Sequence, residues 1–138
     1  MYKKELECAK ESVFKAAEVI IGNYEKAEIG YKDINDLVTD SDIKSEKIIK
    51  DTVKKIFPDH TFLAEESENI EGAQEAGHLW VIDPLDGTNN YAGGIPQFGI
   101  SVAYAEKGEV KAGVVYDPSR KELFEAVSGE GAFMNGKA

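Results

Sequence analysis

Apolar residues recur at steps of three and four near the start of the chain: Leu6, Ala9, Val13, Ala16, Ala17, Ile20 and Tyr24. That spacing lays one stripe along a helix, predicted over about residues 3–24. Glu25 to Leu37 has no clear period. Beyond it, Ile49, Val53, Ile56 and Phe57 form a second stripe, and Thr39 with Asp42 three places on has the form of a capping box with Asp in place of Glu or Gln. A second helix is expected to begin there and run to Phe57, because Pro58 disfavours helical geometry in the residue before it.

The pattern then shortens to strand-length runs. HTFLAEE and HLWVIDP read as strands ending in acid, while FGISVAYAE, EVKAGVVYD and KELFEAVS read as a meander. Glu106-Lys107-Gly108-Glu109 is expected to make the first tight turn of that meander, and Asp117-Pro118-Ser119 marks the next. Two helices followed by mostly sequential strands predict an α+β fold, a layered arrangement with the helices on one face of the sheet. No internal repeat, low-complexity tract or linker interrupts it, so the chain reads as one unit.

Composition narrows the partners. The 138 residues carry a formal charge of −10 and a pI of about 4.7, which disfavours the nucleic-acid backbone and anionic membrane surfaces. A phosphorylated substrate would be repelled too unless cations intervened. Cys8 is the single cysteine and forms no intramolecular disulfide, which fits a reducing cytosol. The charged start MYKKELECAK lacks the apolar core of a signal peptide, and no long apolar run follows, so a soluble cytoplasmic protein is expected.

The chemistry concentrates in Asp83-Pro84-Leu85-Asp86-Gly87-Thr88. Leu79 to Ile82 suits a buried strand, and Pro84, lacking an N–H, is expected to end it at about Asp83. Gly87 allows a bend that brings peptide N–H groups near an anion, and Thr88 can cap a turn or orient a water. Two carboxylates this close repel unless they share a cation. Oxygen donors without nearby histidine or cysteine select a hard ion, Mg²⁺ or Mn²⁺. Glu65-Glu66 ends another strand, and Asp36, Asp40 and Asp42 surround the start of the second helix. If these clusters converge they can hold two or more divalent ions, which would turn the acidic field into one that attracts phosphate.

Taken alone, Glu65-Glu66 would be a solvated loop and the aspartates near Thr39 helix-start chemistry. His60 and His78 lack partners at ligand spacing and are expected at the surface or a strand edge. An EF-hand fails on counting, since its ligand places starting from Asp83 hold Leu85, Gly87, Thr88 and Gly94. A haloacid-dehalogenase phosphotransferase fails because the second acid stands one place too far from the first.

The segments Asp-Leu-Val-Thr-x-x-Asp at 36–42, Glu-Glu at 65–66, Trp-Val-Ile-Asp-Pro-Leu-Asp-Gly-Thr-Asn-Asn-Tyr at 80–91, Gly-Val-Val-Tyr-Asp-Pro at 113–118 and Gly-Glu-Gly-Ala-Phe-Met-Asn-Gly at 129–136 together resemble the inositol monophosphatase family. The resemblance implies an α-β-α-β-α sandwich in a chain roughly twice as long, so residues 1–138 are expected to be its N-terminal portion. The C-terminal half, with a Trp-Asp motif that completes the second metal site, is then absent. It implies Mg²⁺-dependent, lithium-sensitive phosphomonoester hydrolysis of an inositol phosphate or related sugar phosphate, by in-line attack of metal-activated water without a phosphoenzyme. Mn²⁺ is a possible replacement for Mg²⁺.

By the same resemblance, Glu65, Asp83, the carbonyl of Leu85 and Asp86 are metal ligands. Asp42, Thr88 and Glu65 are the catalytic set, and Gly87, Thr88 and Asp86 hold substrate. Glu66 and the stretch around Lys32 stand next to them. A homodimer is implied at full length. Asn89-Asn90-Tyr91 favours the inositol monophosphatase branch over fructose-1,6-bisphosphatases and adenosine 3′,5′-bisphosphate phosphatases, which remain alternatives. So does a non-catalytic metal-binding or dimerisation module; with the C-terminal half absent, weak metal binding at Glu65, Asp83, Leu85 and Asp86 and little turnover are expected of this chain alone.

Overall fold

In the computed structural model, which describes residues 2–28, 34–64, 77–87, 91 and 98–138, the first apolar stripe becomes α1, Lys3–Glu28. It outruns the predicted end because Glu25, Lys26, Ala27 and Glu28 are all good helix formers. Val13, Ala16 and Ile20 on its stripe are completely buried. The second stripe becomes α2, Ile34–Ile56. It stops before Pro58 as expected, with the Phe57 amide donating to the Val53 carbonyl at 2.7 Å. Its start is a correction: Thr39 lies inside the helix and is no cap. A Thr and an Asp three places apart also stand one turn apart within a helix, so the spacing alone could not mark the end.

The strands β1 (Thr61–Ala64), β2 (Leu79–Asp86), β3 (Gly99–Glu106), β4 (Glu109–Asp117), β5 (Glu122–Val127) and β6 (Gly131–Met134) form one six-stranded sheet in sequence order. β1 pairs parallel with β2 and every later pair is antiparallel. Lys107 and Gly108 both take positive φ, 50° and 84°, the twist that a two-residue hairpin requires. The next turn is held by Asp117, whose Oδ1 accepts from the amides of Ser119 and Arg120 and from the Ser119 hydroxyl. β6 was not expected as a separate strand. It is four residues long and exposed throughout, so it carries no alternation to read.

The helices cover one face. Trp80, Ile82, Ile100, Val102, Tyr104 and Val114 point towards them and are buried with the α1 and α2 stripes. Each large apolar side chain fully buried this way contributes about 1.5–3 kcal/mol. On the opposite face, Val81, Val115 and Phe124 remain exposed. No helix among the described residues is long and apolar enough to cross a membrane.

An aromatic column closes the end of the sheet where β1 and β2 begin. Phe57, His60 and His78 stack, with centroids 4.5 and 4.4 Å apart. Proton counting fixes the tautomers. The Trp80 indole N–H donates to His60 Nδ1 at 2.9 Å, so that nitrogen is bare and His60 is neutral. The single Tyr104 hydroxyl proton goes to Glu106, so His78 Nδ1–H donates to the Tyr104 oxygen at 2.6 Å. Burial pushes the His60 pKa below its ordinary 6.5, and the neighbouring His78 adds to that.

Two outcomes follow for stability. Replacing Ile49 by Ala preserves helix propensity and removes only packing, so unfolding in urea should lose about 2–5 kcal/mol with an unchanged slope. A group held neutral below its unfolded pKa contributes stability that is complete above 6.5 and is lost as pH falls below it. NMR should therefore show His60 titrating below 6.5, with the Trp80 indole resonance moving at the same midpoint; a midpoint at or above 6.5 would refute the assigned bond.

Candidate metal and phosphate site

Residues three apart on a regular strand face opposite sides of a sheet. Asp83 and Asp86 do not, because the β2–β3 register shifts between them. Asp83 pairs with Ser101 and Asp86 with Gly99. Pro84 and Leu85 therefore stand opposite Ile100 alone, as a β-bulge. Ser101 and Gly99 lie two apart and share a face, so their partners Asp83 and Asp86 share it too. The expected end of the strand at Asp83 is thus corrected. Pro84 interrupts the ladder without ending the strand, since a bulge leaves an N–H unused and proline has none to lose.

The bulge is fixed from the helix side. Leu85 is 2% exposed and belongs to the core. The Ser45 hydroxyl, on α2, donates to the Pro84 carbonyl at 2.8 Å. Asp83 is half-buried with its Oδ1 shielded from solvent, and Asp86 is exposed. Gly87 follows with φ of 84°, the left-handed bend expected of it, and its carbonyl accepts from the Tyr91 amide at 3.0 Å. β1 runs parallel to β2 with Ala64 opposite Ile82. Both carboxyl ends thereby reach one edge of the sheet, where ligands commonly bind in α/β architectures.

The aspartates of α2 separate into different roles. Asp40 Oδ2 accepts from Asn23 at 3.1 Å and pairs with Lys44 at 3.2 Å, so it is held by its own surroundings. Asp42 lies two residues further, between Ser41 and Ser45, which are both fully buried. Glu65, Glu66, Thr88 and Lys32 lie outside the described residues, as do the side chains of Asp36 and Thr39. Among the described residues no cluster of three or more histidine, cysteine, aspartate or glutamate side chains forms a metal cage.

Sequence reasoning missed the polar residues that hold this edge: Asn23, Ser41, Ser45 and Tyr91. A signal for two of them existed. Ser41, Ser45, Ile49 and Val53 form one i, i+4 row along α2, and all four are buried. Polar members of an otherwise apolar row point to buried partners.

Known proteins resemble the chain as follows. The profile of the inositol monophosphatase family matches residues 1–138. Nus factor SuhB of Haemophilus influenzae is 48% identical over 124 residues, 88% of this chain and 46% of that protein. Inositol-1-monophosphatase of Rhizobium meliloti is 41% identical over 128 residues, 91% of this chain and 48% of that protein. The crystal structure of extragenic suppressor protein suhB from Bartonella henselae superposes with a TM-score of 0.86 at 37% identity, covering 98% of this chain and 52% of that one. The chain thus spans about half the length of the proteins it matches. With its match running from first residue to last, it belongs to the inositol monophosphatase family.

Proposed function

We propose that this chain is the N-terminal portion of a Mg²⁺-dependent phosphomonoester hydrolase acting on an inositol phosphate or a related sugar phosphate. The observation that carries the reading is the bulge at Pro84-Leu85, which turns Asp83 and Asp86 to one face immediately before the left-handed Gly87. Two carboxylates and a nearby peptide carbonyl are hard oxygen donors and fit Mg²⁺ or Mn²⁺. Asp83, Asp86, the Leu85 carbonyl and Glu65 would hold the ions. The ions would supply charge neutralisation of the phosphate and a lowered pKa for water.

The chain's own groups would do the rest. Backbone N–H groups of Gly87 and Thr88 would hold phosphate oxygens, as a bend with left-handed glycine can. Thr88 and Asp42 would orient the attacking water and take its proton.

The relatives named Nus factor SuhB favour a second reading, a non-catalytic binding role. With a formal charge of −10, a contact in that role would be made with protein in preference to a nucleic-acid backbone.

The deciding assay is Mg²⁺-dependent phosphate release from inositol 1-phosphate, fructose 1,6-bisphosphate and adenosine 3′,5′-bisphosphate, with and without lithium, alongside calorimetric titration with Mg²⁺. Asp83→Asn should weaken Mg²⁺ binding about tenfold or more and abolish whatever release the chain shows. Turnover of one substrate, lost in the variant, would select the branch. Metal binding without turnover would place the half of the family fold beyond this chain at the centre of catalysis, and absence of both would sink the proposed site.

A further inference from the structure

One buried hydroxyl joins every element around this edge. Tyr91 is fully buried. Its hydroxyl donates to the Ile20 carbonyl on α1 at 2.8 Å, and Ser41 Oγ on α2 lies 2.9 Å away. A phenol has one proton, already committed to Ile20, so Ser41 must donate to the Tyr91 oxygen. The Ser41 oxygen in turn accepts from Asn23 Nδ2 at 2.9 Å, and the same nitrogen donates to Asp40 at 3.1 Å. Each proton in the chain has one destination. The direction of the relay is therefore determined.

We infer that Tyr91 is a positioning residue for the proposed cation and phosphate site, setting the Gly87 turn against α2 through its hydroxyl. Its amide closes the turn onto the Gly87 carbonyl at 3.0 Å, so the residue grips the segment after Asp86 at one end and both helices at the other. Asp42 follows Ser41 directly in sequence, and Ser45, one turn on, holds the Pro84 carbonyl at 2.8 Å. Two hydroxyls on one face of α2 thus fasten the bulge and the turn that flank the Leu85-Asp86 donors. Burial raises the Tyr91 pKa above its ordinary 10, the Ser41 bond lowers it, and Asp42 and Asp40 add to the rise. The phenol stays a donor. The ring itself packs against Tyr24 and Phe98, contacts that phenylalanine would keep.

The inference rests on the proposed function, and its test uses Mn²⁺ binding by this chain so that turnover is not needed. Mn²⁺ titrations, with and without inorganic phosphate, are run at a temperature where circular dichroism shows each variant folded. Tyr91→Phe should bind Mn²⁺ about tenfold more weakly, and Ser41→Ala should show a similar loss. The double variant should be no weaker than either single one, since both break the same relay. Ser41→Thr, which keeps the donor, should restore binding. If Tyr91→Phe does not fold, Ser41→Ala and its threonine rescue carry the same measurement. Unchanged Mn²⁺ affinity in Tyr91→Phe, even with a lowered melting temperature, would make the hydroxyl merely structural and overturn the inference alone. Absence of Mn²⁺ binding by the unsubstituted chain would overturn the proposed function and this inference with it.

Discussion

A strand turns successive side chains to opposite faces, so two acids three residues apart can serve one ligand only where that alternation is broken. In β2 it is broken by one extra residue, with Pro84 and Leu85 opposite Ile100. The rest of the edge follows from that local defect. It aligns Asp83 with Asp86, turns Leu85 into the core and leaves the Pro84 carbonyl for Ser45. Proline is well chosen for the place, because it occupies a ladder position whose donor would otherwise be buried unpaired. Substituting an ordinary residue at Pro84 would add an N–H that the bulge is not built to use.

Holding such a defect in register takes directional contacts as well as burial. Apolar packing is non-directional and tolerates sliding, whereas a buried hydroxyl that loses its partner costs about 1–3 kcal/mol. Ser45 to Pro84 and Tyr91 to Ile20 and Ser41 are contacts of that directional kind, all inside the helix–sheet layer. They explain why polar residues occupy positions of α1 and α2 that the apolar stripes alone would have filled with leucine or valine. Asn23 supplies two donors and consumes both, one on Ser41 and one on Asp40.

What the sequence revealed and what it hid divide along the same physical line. The α1 and α2 stripes and the meander with its Lys107-Gly108 turn were legible because each is set by local periodicity or by a φ that few residues adopt. Asp83, Asp86 and Gly87 were legible as a group because their spacing leaves few structural alternatives. The bulge was not legible, since a proline at a strand's end and a proline inside a bulge look alike until the partner strand is known. The start of α2 was misread for a related reason, one spacing serving two local geometries. The relay through Tyr91 joins residues 20, 23, 41 and 91, and contacts at such separation leave no mark in a window of the chain.

The two ends of the sheet also differ in how they handle charge. At the end where β1 and β2 begin, Glu106 is engaged by the Tyr2 and Tyr104 hydroxyls, which hold its carboxyl below the ordinary range. His78 and Lys111 add a smaller lowering, so the carboxylate keeps its charge within its own surroundings. At the other end the bulge brings Asp83 and Asp86 to one face of β2, Asp83 half-buried and Asp86 exposed. The same sheet thus holds one acid with its own tyrosine hydroxyls and sets two others on one face by a shift of register. That difference follows from register and hydrogen bonding, a β-bulge at one end and directed hydroxyls at the other.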